Sequence, residues 1–418
     1  MKARGGLGYF DQEEAGGGQV NEVRAQYEAY PYPERDPEDE RKRLITGSPS
    51  HVLEIDNFVF RGVRDWSRPL RVLVAGGGTG DGLIQIAQQM TQAGRAAEIT
   101  YLDLSSAARK LAEARARVRG LDGIRFVTGS LLEAADLGVF DYIDCCGVLH
   151  HLPDPAAGFA ALLAALAPGG GMGFMVYAPY GRSGVYPLQE AFGALFEGQP
   201  PEVRLSAARK LVAGLPEGHP FRCNPNLGDH KDSDAGFYDL LLHSQDRAFD
   251  VAALVAMLEE SGWALSGFAM PALYDPGRIT EVPGHLGPVA RMALAEKLTG
   301  TIKTHVGYAV RGTEARGPAR GAKPGLVPHF KGVRAADLAR AVAGGQRPVL
   351  RMGGIEARPD LPRAAAPLIA GVDGRRSLAE IGRQAGIDAI ALGALWAPVE
   401  RELGAHGLLL YSSILRQG

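Results

Sequence analysis

The chain has 418 residues, 46% of them hydrophobic and 22% charged, which is core-forming material for two or three domains. It has no run of about 18 apolar residues and no apolar signal core at its start, so the composition argues against membrane spanning and export and predicts a cytoplasmic protein. The net charge of -2 hides an asymmetry, because residues 301–418 hold 17 Lys and Arg against 9 Asp and Glu.

Residues 1–18 are glycine-rich and predict a flexible start. A helix over "NEVRAQYEAY" follows and stops at "PYPERDPEDE", where prolines enforce an extended run. From Leu70, short apolar runs alternate with helical stretches: "RVLVAG", "LIQIAQQMTQAG", "EITYLDLS", "AARKLAEARARVRG", "IRFVTGS", "FDYIDCCGVL", "AAGFAALLAALAPGG" and "GMGFMVYAP". That alternation predicts an α/β fold, a parallel sheet with helices on both faces. Residues 181–245, rich in Gly, Pro and polar residues, break the pattern, and it resumes with "DVAALVAMLEESG", "WALSGFAM" and "KTHVGYAVRG". We read 1–66 as an N-terminal extension, 67–180 as the first part of the α/β core and 181–245 as an inserted lid. Residues 246–311 end the core, 312–325 are a linker by composition, and 326–418 form a mainly helical, winged-helix-like accessory domain. Cys145 and Cys146 read as small buried strand residues, and with Cys223 they are too few for a disulfide framework.

The stretch "VLVAGGGTGDG" turns the first strand into the first helix, and its glycines let the backbone approach a ligand closely. The spacing G-x-G-x-G differs from the dinucleotide fingerprint G-x-G-x-x-G, which disfavours a nicotinamide oxidoreductase. Asp103 closes the second strand, 23 residues after Gly80. An ionised carboxylate there can accept hydrogen bonds from both hydroxyls of a ribose, or it can cap the helix that follows. "FDYIDCCGVLHHLPDP" and "LAPGGGMGFMVY", where a helix stops at Pro-Gly before a buried strand, complete four motifs in order.

Together these motifs resemble class I S-adenosylmethionine-dependent methyltransferases, well from Arg71 to Tyr177 and more loosely at "WALSGFAM" and "HVGYAVRG". The resemblance implies a seven-stranded Rossmann-like sheet with S-adenosylmethionine as cofactor. It implies that Gly76, Gly77, Gly78, Thr79 and Gly80 wrap the amino-acid part of the cofactor, and that Asp103 with Leu104 takes the ribose. Ser130 and Leu131 would line the adenine, and Gly147 and Val148 would follow the fourth strand with His150 near the methyl group. Two positions depart from the family pattern: Val74 stands where an acid is common, and Ser130 where an Asp is common. Asp81 is a candidate to supply the missing charge. "QYEAYPYPE" resembles a segment ahead of the cofactor domain in some bacterial methyltransferases, where such a segment folds over the cofactor. Tyr27, Tyr30 and Tyr32 would then either close the site or pack the segment onto the core.

Methyl transfer is an in-line displacement, so positioning supplies much of the rate and a base is needed only if the acceptor must lose a proton. His150, Tyr180 and His230 are the candidate catalytic side chains, and His151 reads as structural. Within 181–245 and just beyond it, Arg182, Tyr186, Asp229, Tyr238, His243 and Arg247 are candidates to bind a polar substrate, alongside Tyr27 and Tyr30. His243 could pair with Asp246 three residues on, and Arg182 and Arg247 could clamp an anion. No ligand spacing supports a metal. The acceptor is a polar small molecule or a protein side chain. RNA remains open as a partner given the basic C-terminal region, and so does a homodimer. DNA is disfavoured because "DAIALGALWAPVERELG" offers a recognition helix only Arg401. A regulatory protein that binds the cofactor without turnover, and an RNA-directed methyltransferase, are the competing readings.

Overall fold

The computed structural model describes residues 24–416 apart from 322, 353 and 354, so residues 1–18 fall outside the described residues. Two helices precede the sheet, α1 over residues 24–29 and α2 over Val52–Phe58. The expected alternation follows: β1 (Leu70–Ala75), α3 (Asp81–Gln92), β2 (Ala97–Asp103), α4 (Ser106–Arg119), β3 (Arg125–Thr128), β4 (Phe140–Cys146), α5 (Pro155–Ala164) and β5 (Leu166–Tyr177). After the insertion come α11 (Val251–Glu260), β6 (Trp263–Phe268), α12 (Pro288–Thr299) and β7 (Thr304–Arg311). The insertion itself holds α6 (Val185–Leu195), α7 (Pro201–Ala213), α8 (Pro220–Cys223), α9 (Asp229–Asp232) and α10 (Asp234–Leu241).

The seven strands lie in the order β3-β2-β1-β4-β5-β7-β6. The first five are parallel, and β7 runs antiparallel to both β5 and β6. The chain winds outward from β1 to β3 and then returns to β4, so the crevice beyond the carboxyl ends of β1 and β4 is the topological switch point. Both faces of β1 are buried, which is why it reads as a continuous apolar run. Val72 and Val74 pack with Leu83 and Ile86 of α3, while Leu73 and Ala75 pack with Phe159 and Leu162 of α5.

Two local expectations are corrected. The Pro-Gly run does not stop a helix; α5 ends at Ala164, and Pro168 to Gly170 lie within β5, where the register against β4 shifts between Phe140 and Tyr142. Further along β5, a Cβ on Gly173 would sit 2.0 Å from the Tyr142 hydroxyl and 2.7 Å from Pro49. Glycine there lets the segment before α2 lie on the sheet, where Tyr142 and Tyr308 both donate hydrogen bonds to the Pro49 carbonyl at 3.0 Å. The insertion is not a polar loop either. Val185, Phe192, Phe196, Phe221, Phe237 and Leu241 build its own apolar core, because its hydrophobic residues sit at helical spacing between the glycines and prolines.

The C-terminal region contains β8 (Pro328–Phe330), α13 (Ala335–Ala343), β9 (Leu350–Met352), β10 (Ile355–Ala357), α14 (Ala366–Ala370), α15 (Leu378–Gln384), α16 (Ala389–Val399) and β11 (Leu409–Tyr411). The predicted helix, turn and longer helix are α15 and α16, and the predicted final strand is β11, which pairs with β8. The stretch called a linker is bound to the core: the Arg316 guanidinium donates to the Val59 and Gly169 carbonyls, and Ala319 N–H to the Asn57 carbonyl.

Helix α2 joins this region to the sheet through buried polar side chains. Asp56 accepts from the Ser412 hydroxyl at 2.7 Å, from Ser413 N–H at 3.0 Å and from the Trp66 indole at 3.2 Å. Asn57 accepts from Tyr411 N–H at 3.0 Å, and Glu54 holds Lys331, Ser48 and Tyr308. Burial pushes the Asp56 carboxyl up, against these hydrogen bonds. Asp56→Ala leaves three buried donors without an acceptor and is expected to cost about 3 kcal/mol or more. Chemical denaturation checks this, and an unchanged midpoint would contradict the role given to Asp56.

Candidate active site

A cavity of about 420 Å³ opens at the switch point. Its floor is the loop from Gly76 to Gly78. Gly76 has φ +68° and a Cβ there would lie 2.3 Å from Val148, so the loop fits only without a side chain at this position. Asp103, at the end of β2, accepts from Gly78 N–H at 2.7 Å and from Ser105 N–H at 2.8 Å. Burial raises its carboxyl, and these two hydrogen bonds oppose the rise. Asp103 thus braces the loop while each oxygen keeps a lone pair; the cap of α4 is Ser105, which accepts from Ala108 N–H.

The segment after α1 forms the roof. Tyr32, Pro33 and Arg35 line the cavity, and the Thr79 hydroxyl donates to the Pro33 carbonyl at 2.7 Å. Arg35 donates to both carboxylate oxygens of Asp81, at 3.0 and 2.6 Å. The buried Arg115 of α4 also donates to Asp81, at 2.7 Å, to the Thr79 carbonyl at 2.7 Å and to Glu40 at 2.6 Å. Burial pushes the Asp81 carboxyl up, but the two guanidinium groups hold it below the usual range.

Tyr27, His151, Tyr177, Asp239 and Gln245 also line the cavity. Asp239 accepts from the Tyr27 hydroxyl at 3.1 Å and from the Tyr177 hydroxyl at 2.9 Å. Gln245 sets both histidine tautomers. Its carbonyl can only accept, so His151 carries its proton on Nδ1, 2.8 Å away. Its N–H donates to His243 Nδ1 at 3.0 Å, so neutral His243 carries its proton on Nε2, which lies 3.3 Å from the Tyr27 hydroxyl. Burial, with His151 and Arg182 nearby, holds His243 well below its ordinary range and therefore neutral. His151, Asp239 and His243 each offer an atom within 4.8 Å of the others, the spacing of a metal site. Neutral His243 has no spare lone pair, since Nδ1 takes the Gln245 N–H and Nε2 bears the proton. The cluster is therefore a hydrogen-bonded chain that engages Nδ1 of His151 and leaves its Nε2 outside the chain.

A family model described as a methyltransferase domain matches residues 73–172, which span β1 to β5 and the glycine loop. Over those residues the chain is similar to a methyltransferase domain. An uncharacterized protein of Synechococcus sp. is 32% identical over 269 residues, covering 62% of this chain and 62% of that protein. A ubiquinone biosynthesis O-methyltransferase of Psychrobacter arcticus is 36% identical over 96 residues, 22% of this chain and 36% of that enzyme. The chain thus spans less than two thirds of the length of these curated relatives. PKMT2 from Rickettsia typhi has a similar fold, with TM-score 0.58 at 14% identity over 88% of this chain and 77% of that one. Its complex with AdoHcy gives TM-score 0.58 at 15% identity, over 86% and 74% of the two chains.

Of the residues expected to hold a cofactor, Gly76, Gly77, Gly78, Asp103, Leu104, Ser130, Leu131, Gly147 and Val148 line the cavity. Thr79 and Gly80 do not: Thr79 fastens the roof and Gly80 begins α3. Asp81 lines it but is neutralised by Arg35 and Arg115, so it supplies no spare charge. The two histidines exchange places. His150 is fully buried away from the cavity and its ring nitrogens have no partner, whereas His151 lines it.

Of the expected substrate residues, Tyr27 lines the cavity. Tyr30 stacks on Tyr238 against the insertion, and Tyr180, Asp229 and His230 lie outside the lining. Arg182 is no anion clamp: it is buried over the Tyr177 ring, paired with Asp246 at 3.1 Å and bonded to the Tyr186 hydroxyl. Asp246 is therefore taken from His243, which lies beyond the end of α10, and Arg247 is exposed over Phe249.

Sequence reasoning missed Asp144, Asp239 and Gln245. The first two carried a signal, being lone carboxylates inside the apolar runs "YIDCC" and "FYDLLL". Asp144 lies beside Val74 in the β1–β4 register and lines the cavity. Burial pushes its carboxyl up to about 7, against hydrogen bonding from Ser50. The folded state then holds a proton there that the unfolded chain has lost between pH 4 and 7. This contribution to stability is complete below about pH 4 and disappears as pH climbs through 7. Asp144→Asn cannot lose it, so its stability relative to wild type is expected to grow between pH 4 and 8, by up to about 4 kcal/mol. Denaturation curves at several pH values check this; a pH-independent difference would contradict it.

Proposed function

We propose that this chain transfers a methyl group from S-adenosylmethionine to a polar acceptor, a small molecule or a protein side chain, by in-line displacement. One observation carries the reading. A single cavity joins the glycine loop, Asp103 and Ser130–Leu131 at one end to the chain of Tyr27, His151 and Asp239 at the other. The glycine cradle that a Cβ would fill, and the spare lone pairs of Asp103, suit an adenosyl ligand. The cofactor supplies an electrophilic methyl carbon.

The residues of the chain then position and desolvate. Asp103 takes the ribose hydroxyls, and Ser130 with Leu131 faces the adenine. Tyr32 and Pro33 exclude water from above. His151 is oriented by the Gln245 carbonyl so that Nε2 can accept a proton from an acceptor hydroxyl or ammonium. Asp239, nearby, stabilises the imidazolium that forms. This role passes from His150 to His151 because His150 has no access to the cavity.

The roof supports an acceptor that is small or extended. The basic excess of the C-terminal region gives an RNA acceptor little support, since Arg316, Lys331, Arg334, Arg340, Arg376 and Arg416 all form ion pairs within the chain.

Titration calorimetry with S-adenosylmethionine is expected to give saturable binding, and NADH none. Gly76→Ala and Asp103→Ala are each expected to weaken binding tenfold or more, about 1.4 kcal/mol. Failure of wild type to bind at about millimolar concentration would overturn the reading.

A further inference from the structure

Among the charge-bearing groups that line the cavity, one is used neither by the mechanism nor by an ion pair. Asp144 is 2% exposed and lines the cavity, and its Oδ2 has no hydrogen-bond partner. It lies on β4 beside Val74, at the end of the chamber where Ser50, Gln85 and Gly82 meet the glycine loop. Buried carboxylates are ordinarily paired or fully hydrogen-bonded, because an isolated charge in a low-dielectric interior is costly. The titratable groups that face it are Tyr142, Cys145 and Cys146 of β4 and Tyr308 of β7. Burial pushes Tyr142, Cys145 and Tyr308 up, and none of the four groups is a cation. Arg35 of the roof and Arg115 of α4 are spent on Asp81 and Glu40.

The cavity thus holds a carboxylate site without its cation. The other three acids that line the chamber are occupied: Asp81 is paired with Arg35 and Arg115. Asp103 braces the loop at the ribose end, and Asp239 takes two tyrosine hydroxyls at the acceptor end. An adenosyl amino acid presents a second cation besides its sulfonium, the protonated α-ammonium. The glycine loop adjoins both acids: Gly78 N–H binds Asp103, and Asp144 stands in register beside Val74 at the start of the loop.

We infer that Asp144 is the counter-ion of the cofactor's α-ammonium, and that cofactor binding drives a proton off its carboxyl group into solvent. This rests on the function proposed above and adds to it a specific anchoring residue and a proton balance. Before binding, the carboxyl is largely protonated below neutral pH, because burial penalises the charged form. When the ammonium docks, Asp144 loses its proton, the carboxylate and ammonium pair, and the proton passes to buffer. Cofactor affinity therefore rises with pH through the range in which Asp144 titrates.

Titration calorimetry with S-adenosylhomocysteine at pH 6.5, in two buffers of different ionisation enthalpy, tests this. At that pH the free ligand's amino group is protonated. Wild type is expected to release about half a proton or more per ligand bound. Asp144→Asn is expected to release none and to bind tenfold or more weakly. A second ligand, the same thioether with the α-amino group replaced by hydrogen, needs no variant: wild type should bind it without proton release, and Asp144→Asn should bind it equally well. A merely structural Asp144 would weaken both ligands alike, and that result overturns the inference. So does proton-neutral binding of S-adenosylhomocysteine by wild type, or equal affinity in Asp144→Asn. If wild type binds neither ligand, the proposed function fails first and this inference with it.

Discussion

The guanidinium of Arg115 is the interaction on which the chamber depends. It is buried, and it ties a helix of the core to three other pieces of chain at once: the carbonyl of the glycine loop at Thr79, the start of α3 at Asp81 and the roof segment at Glu40. A planar donor fork can satisfy several acceptors without moving, which a lysine could not. A buried charge of this kind is tolerable only when fully partnered. The partners are therefore coupled: removing the roof would take Glu40 from Arg115, and removing Arg115 would leave Glu40 only Arg119 of the same helix. The loop conformation and the cover over it form one electrostatic unit.

That unit also explains how the two ends of the cavity come to differ. The nucleotide end is walled by backbone and by carboxylates that backbone N–H groups hold in place. The acceptor end is walled by side chains from separate parts of the chain: Tyr27 from α1, His151 from the turn after β4, and Asp239 and Gln245 from the insertion and its exit. The insertion's apolar core lets α10 carry Asp239 to this end and hold it between two tyrosine hydroxyls. Specificity for an acceptor thus resides in a module that can vary while the sheet stays fixed.

The sheet was legible in the sequence because its strands are buried on both faces and its glycines are forced by backbone geometry; both leave local marks. Gly76 to Gly78, Asp103 and Gly147–Val148 were readable for the same reason, since each sits at a strand end in sequence order. The acceptor end was not readable. Asp239 and Tyr27 are 212 residues apart, and nothing in either local sequence announces the other. His150 and His151 are adjacent and chemically identical, so only the turn that follows β4 decides which one faces the cavity. The insertion was misread for a related reason. Its glycines and prolines suggested loop, while its helices are short and take their stability from packing together rather than from propensity.

The clasp on α2 has a consequence for when the protein becomes complete. Asp56 and Ser412 are separated by 356 residues, yet the helix between Ser50 and the sheet is satisfied only when residues 411–413 arrive. During synthesis the sheet strands emerge long before that clasp can close. A growing chain would thus carry α2, and the chamber wall next to it, with part of its buried acceptors unsatisfied until residues 411–413 are made. Residues 411–413 act as a late latch, coupling the ligand chamber to the arrival of the C-terminal region.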